Sequence, residues 1–276
     1  MSREQRQERD QADEPGLRLV GHIGTELLRH EDGSVTSWCA LRPDLADATG
    51  ALLPGCLAFI VDGSGGLVTG LAAVPEWVVT SDLDLRLVGR VTVGPARTEA
   101  RVVRRGRGTV TAEIMVFDEG DDDRAVGVAT LTSAVLTPDF EAPGAAYPVG
   151  RRVGHGTPDI DATPIREWLG LETTAGGASL ALRPEICNPW GILHGGATCL
   201  LAEAAAEAVV GGPPGSLRDL LVRFVAPARV GPIVAQASVI GRRPDDTVVQ
   251  IEVRDVGADG RLTALATASV GALSPT

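Results

Sequence analysis

The sequence predicts an α+β fold in which one unit occurs twice, each copy a buried central helix wrapped by an antiparallel sheet. Three observations predict it: the chain superposes on itself, both copies share one order of helix and strands, and the helix of the second copy is apolar on nearly every side. Residues 40–62 read ALRPDLADATGALLPGCLAFIVD and residues 181–203 read ALRPEICNPWGILHGGATCLLAE. A shift of 141 superposes the two ALRP strings, Gly50 on Gly191, Leu52 on Leu193, Gly55 on Gly196 and Asp62 on Glu203. After a four-residue difference in length the shift is 137, which sets SDLDLRLVG on RDLLVRFVA, Gly94-Pro95 on Gly231-Pro232 and VATLTSAVLTP on LATASVGALSP. A period this long belongs to a duplicated domain rather than to a solenoid.

Each copy opens with a strand ending at ALRP, followed by a loop carrying Gly50 or Gly191. Central helices are then expected near 55–70 and 196–210. The second is apolar on nearly every side apart from Glu203 and Glu207, so most of its surface must be buried. DGSGG, starting at Asp62, is poor helix material and is expected to end or distort the first helix, unless close packing of the two helices tolerates its glycines. Strands follow. In TVVQIEVRDV, Val249, Ile251 and Val253 share one face while Gln250, Glu252 and Arg254 share the other, and LLVRFV and LDLRLV alternate likewise. DEGDDD at 118–123 and RRPDD at 242–246 read as solvated hairpin tips. The stretch PDFEAPGAAYPVGRRVGHGTPD is rich in Pro and Gly and aperiodic, which reads as a linker. The expected organisation is an N-terminal domain over 17–138, a linker over 139–163 and a C-terminal domain over 164–276.

A formal net charge of -11 argues against a nucleic-acid partner, since such binding rests on a basic face that neutralises phosphates. The start, MSREQRQERDQADEPG, has no apolar signal core, and no run is read as approaching the ~20 apolar residues of a membrane span. A cytoplasmic protein without membrane attachment is the expectation. Cys39, Cys56, Cys187 and Cys199 lie far apart with no C-x-x-C, which reads as buried thiols rather than disulfides or a zinc site, and no metal is expected.

The chemistry gathers at NPWGILHGGATCLLAE, residues 188–203. First-turn amides of a helix have no intrahelical partner, and the helix dipole draws negative charge to that end. Gly195 and Gly196 leave those amides open to a ligand. Asn188, then His194-Gly195-Gly196 at a helix start, then Glu203 nine residues beyond the histidine, resembles the motif of hotdog-fold acyl-CoA thioesterases of the phenylacetate-pathway type. With the internal repeat, the chain resembles their tandem, double hotdog form from about residue 20 to 274.

That resemblance implies hydrolysis of acyl-CoA, with no cofactor, at a site between two hotdog units. One unit gives the Asn and His-Gly loop and the other gives the carboxylate. Asn188, His194 and Gly195 would then face Asp62, with Asn188 and His194 orienting the thioester. The Gly195 N–H would stabilise the developing oxyanion, a kind of donor worth roughly 3–4 kcal/mol. Gly196 would assist binding. Family members often carry a hydroxyl on the strand after the helix, a place held by Thr80 and, in the second copy, by Leu217. The first copy departs from the pattern: Asp47 stands for Asn188, Leu53 for His194 and Pro54 for Gly195, and proline has no N–H to give. Glu203 would therefore face a degenerate second site.

Other readings compete with this one. His194 can be a helix cap, Glu203 a solvated glutamate and Thr80 an ordinary strand threonine. A hotdog hydratase would need an Asp at position 189, which holds proline, and no G-x-S-x-G serine-hydrolase elbow occurs. A non-catalytic acyl-CoA binding or scaffold protein is the alternative from another class. CoA phosphates call for arginines at the site mouth, and the candidates are Arg104, Arg105 and Arg107 in one hairpin and Arg242 and Arg243 in another, with ordinary solvated arginines as the competing reading. A homo-oligomer of two-domain chains is a further expectation.

Overall fold

The structure, a computed structural model, describes residues 18–137, 147–154, 163–188, 190–211 and 216–271. In chain order its elements are α1 (Arg18–Ile23), β1 (Thr25–Arg29), β2 (Val35–Cys39), α2 (Pro54–Ala73), β3 (Trp77–Leu87), β4 (Ala96–Arg105), β5 (Thr109–Asp118) and β6 (Arg124–Leu136). They continue with β7 (Arg152–Gly154), α3 (Ile165–Trp168), β8 (Glu172–Thr174), β9 (Gly177–Leu180), α4 (Gly195–Val210), β10 (Leu217–Phe224), β11 (Ile233–Arg242), β12 (Thr247–Asp255) and β13 (Arg261–Val270). Among the described residues the strands form one sheet in the order β7-β1-β2-β4-β5-β6-β3-β10-β13-β12-β11-β9-β8, each neighbouring pair antiparallel. This sheet around α2 and α4 is the double hotdog.

The two halves meet where β3 pairs with β10, and the register there follows from the repeat. Asp82 lies opposite Arg223, Asp84 opposite Leu221 and Arg86 opposite Asp219. Under the 137 shift Asp82 and Asp219 are counterparts, as are Arg86 and Arg223, so an aspartate meets an arginine on both sides of a pseudo-two-fold axis at Asp84 and Leu221. Arg223 pairs with Asp82, and Arg86 lies 3.5 Å from Asp219. Elsewhere along the contact, His22 of one half stacks on Trp168 of the other, ring centroids 4.4 Å apart.

The repeated ALRP string has a structural task in each half. The Arg42 guanidinium donates to the carbonyls of His22 and Ile23 at 2.6 and 3.1 Å, closing the end of α1, and Arg183 donates to Trp168 O at the end of α3. The leucine before it packs on the glycine of the repeated Gly-Pro. Gly94 and Gly231 both have positive φ, and a Cβ on either would strike Leu41 or Leu182.

Val249, Ile251 and Val253 point inward and are fully buried, as their alternation predicts. The helix α2 runs unbroken through DGSGG, contrary to the expected end or distortion. Burial overrides propensity here: Gly65 presses against Leu131 and Ile114 of the sheet, where a Cβ would come within 2.9 Å of Leu131. The tolerance comes from helix-on-sheet packing. This helix also corrects the reading of apolar runs, since its 20 residues are long and apolar enough to cross a membrane by length and composition, with a stretch of mean hydropathy 1.6, while 67% of that stretch is buried in this fold.

Two further expectations change. Arg152–Gly154, read as linker, is a strand on the edge of β1. Asp118, read as part of a solvated tip, is fully buried and accepts the backbone N–H groups of Thr92, Val93 and Gly94 at 2.7, 3.1 and 2.6 Å. Its counterpart 137 residues on, Asp255, does the same for Arg229, Val230 and Gly231. The four cysteines are free and buried, and burial pushes the Cys39 thiol up to about 12.

Candidate active site between the two halves

The helices α2 and α4 pack through their glycine-bearing starts, and each thereby points its mid-helix carboxylate at the start of the other. Gly196 lies against Phe59 so closely that any Cβ there would enter the ring, and Gly55 lies likewise against Leu200 and Glu203. Asp62, 8% exposed, thus comes to Gly195: a Cβ on that glycine would be 2.6 Å from Asp62 Oδ2. The other oxygen, Oδ1, accepts from the Thr80 hydroxyl at 2.9 Å. Asp62, Thr80, His194 and Gly195 are therefore brought together, the first two from one half and the last two from the other.

His194 is the N-cap of α4. Its Nδ1 accepts the Gly196 N–H at 3.0 Å and its ring stacks on Phe59 at 4.7 Å. An accepting Nδ1 places the ring proton on Nε2, so the 3.8 Å approach of Nδ1 to Asp62 Oδ2 is a contact and not a hydrogen bond. Burial lowers the His194 pKa, and the Asp62 charge only partly opposes it, which favours the neutral ring. The cap also decides between the two glycines. The Gly196 N–H is taken by His194, so Gly196 serves packing and not, as expected, ligand binding. Among the described residues nothing accepts the Gly195 N–H, which leaves that donor of the helix end for a ligand.

Asn188 shapes the loop from behind. Its Oδ1 accepts the N–H groups of Trp190 and Ile192, both at 3.1 Å. Asp47 does the same in the first half for Thr49 at 2.8 Å and Ala51 at 3.2 Å, and takes Arg90 on its other oxygen at 2.7 Å. A turn-forming acceptor is needed to build either loop, whatever follows it. The loop is thus retained where Leu53 and Pro54 stand in place of the histidine and glycine.

Glu203 sits at the pseudo-equivalent place and is not the solvated glutamate of the alternative reading: it is 0% exposed. One methylene longer than Asp62, it reaches the Gly55 N–H with Oε1 at 2.9 Å, while Arg166 lies 2.8 Å from Oε2. Arg166 also holds Glu207 at 2.7 Å, and Glu207 accepts the Ser216 N–H at 3.0 Å. Burial works against the arginine's charge, but the two carboxylates outweigh it and raise its pKa above the usual value. An anion thus already fills this helix start, and a cation seals it. Aligning α1 with α3 puts Val20 in the place of Arg166 on the Asp62 side, where no arginine contacts the carboxylate among the described residues.

The arginine hairpins separate by half. Arg105 donates to Glu76 at 2.5 Å and to Ala73 O at 3.4 Å, with Arg104 and Arg107 exposed beside it, all in the half that supplies Asp62. Arg242 bonds Thr247 and Arg243 bonds Asp246 and Ser269, in the half that supplies Glu203. Two features escape the sequence reading: Arg166, which lies outside the repeated motif, and the contact of Trp77 with Trp190, whose ring centroids are 4.4 Å apart.

Residues 183–271 match the family model described as the acyl-CoA thioesterase N-terminal domain. A comparison with curated proteins finds no match. Among solved structures, a Thermobifida fusca protein assigned as a thioesterase II is 21% identical, with a TM-score of 0.60 and coverage of 92% of this chain and 98% of that one. The tesB protein of Mycobacterium avium subsp. paratuberculosis is 14% identical, with a TM-score of 0.61 and coverage of 94% and 99%. A hotdog-fold protein of Alicyclobacillus acidocaldarius is 15% identical, with a TM-score of 0.59 and coverage of 87% and 94%. These likenesses carry the fold, a double hotdog, across nearly the whole chain, and within it residues 183–271 are similar to an acyl-CoA thioesterase domain.

Proposed function

We propose that the chain hydrolyses acyl-CoA thioesters to the free acid and CoA at a single site between its halves. The observation that carries this reading is the contrast between two pseudo-equivalent carboxylates. Glu203 has its charge taken by Arg166 and the Gly55 N–H, whereas Asp62 is held by one hydroxyl and faces an open helix start. That Glu203 itself binds the Gly55 amide supports the idea that these helix starts accept an oxyanion.

In the proposed reaction the thioester carbonyl oxygen takes the Gly195 N–H, and the negative charge that develops there is stabilised by that donor and by the α4 dipole. Asp62 Oδ2, fixed by the Thr80 bond at Oδ1, delivers the attack, either as base toward a water or as the nucleophile itself. In the first case the water proton moves to Asp62, its oxygen bonds the carbonyl carbon, the C–S bond breaks and the proton passes to the leaving thiolate. His194 stays neutral and holds the helix start open by capping Gly196. Asn188 acts through the loop and is a positioning residue.

Steady-state hydrolysis of an acyl-CoA tests this. Asp62→Asn should lower kcat by roughly a hundredfold or more, the scale of an acid/base group. Gly195→Pro should lower it comparably, and Glu203→Gln should leave kcat per folded molecule nearly unchanged. Activity lost in Glu203→Gln but kept in Asp62→Asn would return the catalytic carboxylate to the C-terminal half. Ligand-dependent stabilisation without thiol release in the unaltered chain would make it a binding protein.

A further inference from the structure

We infer that Trp77 and Trp190 form a clamp for the pantetheine arm of the CoA thioester, an assignment that rests on the proposed hydrolase reading. Trp190 lies on the loop between Asn188 and His194, and Trp77 opens β3 three residues before Thr80. One indole comes from each half, as do Asp62 and Gly195. Their centroids lie 4.4 Å apart with the planes tilted by 58°, and both side chains are half-buried. The Trp190 loop is braced from outside by Arg229, whose Nη1 donates to Trp190 O at 2.8 Å.

The pair belongs to the Asp62 side alone. Thr49 stands where Trp190 would be in the other loop, with its N–H and hydroxyl both turned back to Asp47, and the sequence places Pro214 at the counterpart of Trp77. Order along the site then suggests what the indoles meet. On one side of Trp77 is Thr80, bonded to Asp62. On the other is Glu76, bonded to Arg105, whose guanidinium also reaches Ala73 O at the end of α2. Ala73 is eleven residues beyond Asp62, about 16 Å along the helix at ~1.5 Å per residue. Along the chain, the threonine bonded to the reacting carboxylate, one of the two indoles and a glutamate bonded to an arginine hairpin with Arg104 and Arg107 exposed thus follow one another. A CoA thioester has the same order of parts: the reacting carbonyl, a neutral arm of methylenes and amides, and phosphates. Indoles suit such an arm, giving apolar faces to its methylenes. The rings touch in this structure, so they must part to admit it.

Two measurements on the full chain test the clamp. The first titrates free CoA against tryptophan fluorescence. Trp190→Ala and Trp77→Ala should each weaken CoA binding about tenfold, and the Phe variants should retain most of it. The second compares one acyl group carried on CoA and on N-acetylcysteamine, which keeps only the thiol end of the arm. The Ala variants should raise KM for the CoA ester about tenfold with kcat within about twofold, and leave the truncated ester unchanged. Equal losses on both thioesters would assign the indoles to the acyl group and overturn the clamp. So would an unchanged KM, or a fall in kcat that tracks a lowered Tm. If the unaltered chain hydrolyses no thioester, the hydrolase reading fails by itself and the CoA titration alone decides: weaker binding in the Ala variants supports the clamp, and unchanged binding overturns it.

Discussion

Arg166 faces two buried carboxylates with one positive charge, and this imbalance sets what each substitution costs. Removing the Glu203 charge leaves Arg166 and Glu207 as a pair, whereas removing the guanidinium takes away the cation that the two buried carboxylates share. Breaking a buried ion pair by deleting one partner costs roughly 3–5 kcal/mol. We expect Arg166→Met to lose about that much, and Glu203→Gln less than about 2 kcal/mol, since a neutral amide still fills the space. Denaturant melts of both variants check the order, and an equal loss in the two would contradict it. At this scale the sequence is informative where the repeat supplies a counterpart. Leu53 for His194 and Pro54 for Gly195 are legible as departures from the motif because each has a counterpart 141 residues on. Arg166 is not legible, because α3 is four residues long and the contact with Glu203 spans α3 to α4, a distance that no local periodicity reports.

Among the elements, the loop at 226–232 does more than connect strands. Asp255, fully buried, gathers the N–H groups of Arg229, Val230 and Gly231, and the loop so fixed accepts the Leu193 N–H at Ala228 O and sends Arg229 to Trp190. Its twin, Asp118, fixes the loop at 92–94, and Val91 O there accepts the Leu52 N–H beside Pro54. Asp255→Asn and Asp118→Asn should each cost about 1–3 kcal/mol, the penalty for buried donors left without their acceptor. Only Asp255→Asn should also raise KM for an acyl-CoA. Burial opposes the Asp255 charge, but the backbone donors win and hold its pKa below 3.8. Its stabilisation is therefore complete above pH 3.8 and fades as pH falls through the lowered folded value. In acid titrations followed by circular dichroism, Asp255→Asn should lose less than the unaltered chain over that range. The strands, the two central helices and their order are legible from alternation and from the repeat. Asp118 is misread because a charge run is ordinarily a solvated turn, and only the packed loop shows which of its members is inside. The full length of α2 is misread for a similar reason: glycine propensity is local, while the sheet that stabilises Gly65 comes from residues 114 and 131.

For the molecule as a whole, the β3–β10 register and the facing helices make the halves parts of one object. Arg86–Asp219 and Arg223–Asp82 are partly exposed, so each contributes little by itself, and the seam rests on the continuous ladder and the buried contact of α2 with α4. The proposed single site predicts one equivalent of a tight, non-hydrolysable acyl-CoA analogue bound per chain in calorimetry, and two equivalents would show that the Glu203 side also binds. This arrangement has a consequence for how the sequence is free to vary. In a pair of identical subunits every amino-acid change is made twice, so a proline at one helix start would silence both catalytic centres together. Joining the subunits end to end removes that constraint. Pro54 can occupy one start while Gly195 keeps the other, and the carboxylate facing Pro54 can be given over to a buried ion cluster.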